Sequence, residues 1–251
     1  MNRILFERQE LQADGTVAFD DARARHIRHV LHADIGQVLQ VGMLDGLAGV
    51  GRVRESGPER VWLDVTLDVE TPPPWVDLLL AMPRPKVLKR LWAQLAALGV
   101  GRVVLINAAR VERDYFATHW IEETHYRPLL VEGLVQAGNT HLPRIAIERR
   151  FRPYVEDRLD VEFPDSMRLV AHPGEASGVV PPRQPLAQSS GAQTPEAPRM
   201  LLAVGPEGGW TAFELELLEQ RRFKRVTLGS RTLRTDTACV ALLGALAACR
   251  V

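Results

Sequence analysis

Cysteine is scarce: Cys239 and Cys249 are the only two in 251 residues, and both fall in one apolar stretch. Two cysteines so placed make no disulfide framework, which points to a core held by burial and to a reducing, cytoplasmic setting. Long apolar runs are also missing. The longest, Ala238 to Cys249, falls short of a bilayer span and reads as a buried or interface helix. Arg3, Glu7 and Arg8 interrupt the N-terminus, so no signal-peptide core is expected there. Net charge is absent too, with 31 Lys and Arg against 31 Asp and Glu, which excludes a generally basic nucleic-acid coat. A phosphate-binding Gly-Lys-Ser/Thr is not found, counting against a nucleotide hydrolase, and there are no internal repeats.

What is present is an ordinary globular composition, 46% hydrophobic and 25% charged, enough for one large or two modest domains. Residues 1–72 alternate short strand candidates (Leu39–Val41, Ala48–Val50, Val61–Leu67) with turns at Asp14-Gly15, Asp45-Gly46 and Gly57-Pro58, the pattern of a small barrel. Between them Asp20 to His32 reads as a helix. Its His26, His29 and His32 lack a cysteine or carboxylate constellation for a metal. With Arg23, Arg25 and Arg28 beside them they suit phosphate contact or a plain surface.

Pro72-Pro73-Pro74 makes a stiff extended boundary, and residues 75–251 form the expected second domain. Val76–Met82 reads as a buried strand, Lys86–Leu98 as an amphipathic helix with Leu88, Leu91, Trp92 and Leu95 on one face, and Val103–Ile106 as a strand. This is a right-handed parallel crossover. A helix over His119–Gly138 and strands near Ile145–Glu148 and Leu169–Ala171 follow. Residues 174–198, rich in Pro, Ser, Gly, Gln and Ala, read as a flexible surface insertion.

The informative stretch comes last. Met200–Val204 has the length and apolarity of a strand buried on both faces. Gly205-Pro206-Glu207-Gly208-Gly209 forces a turn, and Thr211 with Glu214 has capping-box spacing for a helix. Phe223–Leu228 is the next strand, Gly229–Arg234 a second ligand-facing loop, and Thr235 or Asp236 the cap of a final helix. About six parallel strands then bring two glycine-bearing loops to one sheet edge, where ligands of open α/β sheets bind.

These two segments, Gly205-Pro-Glu-Gly-Gly209 and Leu228-Gly-Ser-Arg-Thr-Leu-Arg-Thr-Asp-Thr-Ala238, resemble the family E small-subunit ribosomal RNA methyltransferases of the SPOUT superfamily. The resemblance implies an α/β trefoil-knot domain with a mostly parallel sheet, a small N-terminal PUA-like RNA-binding β-barrel, and a homodimer. It also implies S-adenosylmethionine as methyl donor and N3 of a uridine in 16S rRNA (family target uridine 1498) as acceptor. Donor contacts should come from His172 and Pro173, from Leu202, Val204, Gly205, Pro206, Gly208 and Gly209, and from Leu228, Gly229, Leu233, Thr235 and Ala238.

Attack by N3 needs its proton removed and the charge on the flanking carbonyls stabilised, so a cation and a carboxylate are wanted. Arg234, then Arg231, are the candidate cations, and Glu207 and Asp236 the candidate carboxylates. Both acids also stand where helix starts favour acids regardless of catalysis. From Arg84 to Arg113 seven basic residues face a single acid, Glu112. Arg84, Lys86, Lys89, Arg110 and Arg113 are thus candidates for RNA backbone, with Arg25 and Arg28 in the first domain. The chain departs from the family in Val135-Gln-Ala-Gly-Asn139, where Glu-Gln-Ser-Gly-Arg is usual, in Ala93-Gln94, where Gln-Lys is usual, and in Asp236, where Glu is usual. A knotted RNA-binding or assembly protein without activity is the alternative reading.

Overall fold

The structure, a computed structural model, describes residues 3–173 and 199–249. The insertion expected at 174–198 lies outside the described residues. The chain divides into two compact units, Met1–Pro72 with Val131–Leu142, and Pro73–Leu130 with Pro143–Val251.

The first unit carries β1 (Ile4–Phe6), β2 (Thr16–Phe19), α1 (Ala22–His29), β3 (Val38–Met43), β4 (Ala48–Ser56) and β5 (Val61–Val69). They form one sheet in the order β1-β3-β4-β5-β2, antiparallel except for β1 beside β3. Alternate residues turn inward: Ile4, Phe6, Val17, Phe19, Val41, Val61 and Leu63 close over Ile27 of α1. Gly49 sits at a register shift between β4 and β5, where a Cβ would lie 1.9 Å from the Thr66 carbonyl oxygen, so no other residue fits. α1 starts on Asp21, whose carboxylate accepts from the Arg23 amide, and it is shorter than the sequence suggests. β1 and β2 escape sequence reading because three or four residues carry too little periodicity.

Asn139, at one of the departures noted above, has a local task. Its side-chain amide donates to the Pro72 carbonyl (2.8 Å) and its carbonyl accepts from the His141 amide (2.9 Å). Beside it the Thr140 hydroxyl donates to the Gly46 carbonyl (2.6 Å). These bonds tie residues 139–141 to the unit they belong to.

The second unit contains β6 (Val76–Ala81), α2 (Pro85–Ala97), β7 (Val100–Ile106), α3 (Glu123–Ala137, whose last turns count with the first unit), β8 (Arg144–Glu148), the short helices α4 (Phe151–Pro153) and α5 (Leu159–Glu162) flanking a π turn, β9 (Arg168–Ala171), β10 (Met200–Val204), α6 (Ala212–Gln220), β11 (Lys224–Val226) and α7 (Thr235–Ala248). Its six strands are all parallel, in the order β11-β9-β10-β6-β7-β8. Every residue of β6 and β10 is buried, in keeping with sequences that are apolar throughout except at Asp77. Asp77 is the exception in chemistry: it is 3% exposed, and both its oxygens accept from Arg199 Nε at 2.9 Å. Burial raises its pKa despite that partner.

Pro85 opens α2 in the first turn, where a missing N–H is harmless. Val87, Leu88, Leu91, Trp92 and Leu95 are buried, and Trp92 Nε1 donates to the Trp120 carbonyl (3.0 Å). α7 packs on α2 and β10, with Leu242, Leu243 and Leu246 buried inside its own unit. The expected cap of α7 needs correction. Arg234 is the N-cap and makes no side-chain cap bond; Thr235 is already helical and buried, while Asp236 turns to Arg90 of α2 (2.6 Å). No helix among the described residues is long and apolar enough to cross a membrane. Cys239 is fully buried in α7 and its thiol is pushed up to about 12, chiefly by desolvation. A thiol reagent at neutral pH should therefore leave Cys239 unmodified until denaturant is added, measured by peptide mapping of the alkylated protein.

Candidate active site

Three loops leave the C-terminal ends of neighbouring strands: 172–173 after β9, 205–211 after β10 and 227–234 after β11. They meet around one cavity of about 200 Å³. Register explains the meeting, since β9 lies between β10 and β11 and all three run the same way. The Gly209 amide donates to the Pro206 carbonyl (2.8 Å), closing the first turn with Gly209 at φ +72°. In the third loop the Thr227 hydroxyl accepts from the Gly229 amide (3.2 Å), and Gly229 takes φ +105°, which only glycine adopts without strain. The His172 amide donates to the Val226 carbonyl (3.1 Å), joining the loop after β9 to the end of β11.

Most of the residues anticipated for the donor are brought to this cavity. His172, Pro173, Val204, Gly205, Pro206, Gly208, Gly209, Leu228, Gly229, Leu233, Thr235 and Ala238 all line the cavity; Leu202 does not, being buried mid-strand in β10. Trp210, Val226, Thr227 and Leu242 line it too and were not foreseen. Leu242 follows Ala238 by one helical turn, a signal that was available; Trp210 had only its place after Gly209. Trp210 is 4% exposed, packs on Phe151 with ring centroids 5.6 Å apart, and its Nε1 has no hydrogen-bond partner among the described residues. The His172 pKa is lowered, first by burial and then by Arg225, so the imidazole stays neutral at neutral pH.

The charged candidates separate. Glu207 and Arg231 border the cavity, whereas Arg234 and Asp236 stand outside its lining, at the head of α7. Glu207 is held by Arg84 Nε at 2.8 Å. Arg90 first of all, and a bond from the Thr237 amide, hold the Asp236 carboxyl below its usual range. Arg110 Nη1 donates to the Gly208 carbonyl (2.6 Å). Lys89 stacks its ammonium 4.6 Å from the Trp120 ring, and Lys86 and Arg113 are exposed. In the first unit Arg25 is exposed, while Arg28 donates to the carbonyls of Gly57 and Pro58. Arg84, Arg110 and Arg28 therefore have partners within the protein that local charge density did not foretell.

Glu214 ties the first loop to its neighbour. Its Oε1 accepts from the Ala109 amide (2.7 Å), and its Oε2 from the amide (2.8 Å) and hydroxyl (2.9 Å) of Thr211. The capping box read from the sequence is thus also a bridge to the loop after β7.

The cavity suits an adenosyl ligand by its chemistry. Its walls come from three turns, four glycines among them, with apolar Val204, Leu228, Leu233, Ala238 and Leu242 between, and Arg231 and Glu207 are the charged residues at its border.

An RNA methyltransferase domain model matches residues 70–247. The ribosomal RNA small subunit methyltransferase E of Treponema pallidum is 28% identical over 245 residues, covering 96% of this chain and 88% of that one. The protein of the same name from Synechocystis is 26% identical over 229 residues, covering 90% and 70%. Among solved structures, a Legionella pneumophila methyltransferase in complex with the bound cofactor SAM has a TM-score of 0.73 at 21% identity, over 99% of this chain and 98% of that one. The Neisseria gonorrhoeae ribosomal RNA small subunit methyltransferase E, bound to S-adenosyl methionine, has a TM-score of 0.69 at 21% identity, over 98% and 97%. The chain shares their fold.

Proposed function

The chain belongs to the RNA methyltransferase domain family, and from that premise we propose that it methylates N3 of a uridine in 16S rRNA, the family E target uridine 1498, with S-adenosylmethionine as donor. The observation that carries this reading is the convergence of three strand-end loops on one backbone-lined cavity. It is supported by relatives named for the same reaction class across nearly the whole chain. In the full reading the small ribosomal subunit or its RNA is the partner, and the enzyme works in the cytoplasm as a homodimer. Its second unit carries a SPOUT trefoil knot and its first unit, PUA-like, supplies a further RNA contact.

S-adenosylmethionine supplies a methyl group on a sulfonium, an electrophile that needs no metal and no protein nucleophile. The loops at 172–173, 205–209 and 228–238 hold it through backbone groups and apolar contacts. Uridine N3 loses its proton and gains the methyl. Arg231, at the cavity border, is placed to offset charge growing on the uracil carbonyls, and Glu207 is the carboxylate best sited to take the proton. Arg234 and Asp236 are assigned supporting positions at the head of α7, since they stand outside the cavity lining.

Purified protein, methyl-labelled donor and small subunits from a strain lacking the modification should yield N3-methyluridine on nucleoside analysis. Arg231→Ala should lower kcat on the order of a hundredfold while calorimetry shows donor affinity retained. Donor binding without product on either free 16S rRNA or subunits would instead favour the inactive RNA-binding alternative.

A further inference from the structure

A second cavity, of about 370 Å³, opens in the same unit on the other side of Thr211. Its walls come from the segment after β7 (Asn107, Ala108, Ala109, Val111 and Arg113), from Phe151 and Arg152, and from Thr211 and the first turn of α6 (Phe213, Glu214). The volume lies in the ~300–1,000 Å³ range of small-molecule sites. Three features give it a chemistry. Phe213, on the first turn of α6, leaves its ring 52% exposed to the recess. Two guanidinium groups line the recess with it: Arg152, 5.9 Å from the ring centroid and paired through Nε with Glu156 (2.9 Å), and Arg113, which is exposed and makes no ion pair among the described residues. Asn107 donates its amide to the Arg149 carbonyl (3.4 Å), and its Oδ1 accepts from no protein donor among the described residues.

An exposed aromatic face, a free amide acceptor and two cations in one recess match an unstacked nucleobase with its phosphates, not an apolar metabolite. The recess is also held rigid. Glu214 clamps the Ala109 and Thr211 amides together, so its two walls keep their spacing before a ligand arrives. That clamp is continuous with the 205–211 loop of the donor cavity.

We propose that this second cavity receives a base flanking the target nucleotide, stacked on Phe213 with its phosphates on Arg113 and Arg152, and so contributes to choosing which RNA is modified. This rests on the methyltransferase reading and adds a subsite to it. Base stacking of the strength found elsewhere sets the effect: Phe213→Ala should weaken a 16S rRNA fragment roughly fivefold to a hundredfold. The test measures RNA affinity by fluorescence anisotropy, kcat and KM for RNA, and donor affinity by calorimetry, for the unaltered protein, Phe213→Ala and Phe213→Trp. The expected result is a raised RNA Kd and KM for Phe213→Ala, kcat at saturating RNA within about twofold, donor affinity unchanged, and recovery in Phe213→Trp. An unchanged RNA Kd would overturn the subsite. So would a fall in kcat at unchanged KM, which would mark the cavity as the seat of the reacting base instead. Failure of the unaltered protein to methylate RNA would strike the parent reading, while the anisotropy arm still reports on the subsite.

Discussion

Glu214→Ala should lower the unfolding free energy by about 2–4 kcal/mol, because two main-chain donors lose their acceptor where water cannot replace it. Glu214 is 2% exposed and accepts from Ala109 N, Thr211 N and Thr211 Oγ1 at 2.7–2.9 Å. The carboxylate's own desolvation is relieved on deletion, which keeps the estimate below the sum of three charge-assisted bonds. Glu214→Gln sharpens the test. The two amides reach different oxygens, and glutamine offers only one, so one N–H must face an NH₂ group and the variant should recover only part of the loss. Thermal unfolding followed by circular dichroism should show Glu214→Ala about 5–15 °C lower, with Glu214→Gln between it and the unaltered protein. A Glu214→Ala shift under about 2 °C would mean that the clamp is not a stabilising contact. Donor affinity should fall as well, since the loop after β10 loses its tie to the loop after β7.

That clamp shows where sequence reasoning stops. Thr211 and Glu214 are three residues apart, and their capping box was readable as a local pattern; Ala109, the third party, is 105 residues away from Glu214 and carries no mark at all. The same division runs through the second unit. β6 and β10 announce themselves because burial on both faces demands unbroken apolar residues, and α2 because its buried positions recur at helical spacing. The cavity proposed for the donor is bordered by glycine turns that follow such strands, a pattern the sequence displays. The helical stretch at 151–162 was missed: its α segments are three and four residues long, too short for a period. The pairs Arg84–Glu207 and Arg90–Asp236 were missed because each joins a helix to a loop or helix over a hundred residues on. Local charge density marked Arg84 as free for RNA, and only the fold reveals that it holds an acid beside the cavity.

Gly205→Val should weaken donor binding roughly tenfold to a hundredfold, the equivalent of the 1–3 kcal/mol that overpacking costs. A Cβ on Gly205 would lie 3.0 Å from Trp210 Nε1 and 3.1 Å from Cδ1 and Cε2, and valine adds two further carbons. The indole cannot withdraw, because Phe151 is packed against it and it is almost fully buried. The first turn must therefore move into the cavity it borders. Gly229→Ala provides contrast: nothing lies within 4 Å of its Cβ position, so only the backbone strain at φ +105° acts and the expected loss is smaller. The atoms that Gly205 would strike all belong to the five-membered ring of the indole. Trp210→Ala removes the whole indole, and because Nε1 has no partner among the described residues the change sacrifices no hydrogen bond. Adding Gly205→Ala to Trp210→Ala should then cost less donor affinity than adding it to the unaltered protein, a coupling that calorimetric titration of the four proteins reads directly. Additive losses in that cycle would show that the glycine serves the ligand itself and not the packing of the tryptophan beneath it.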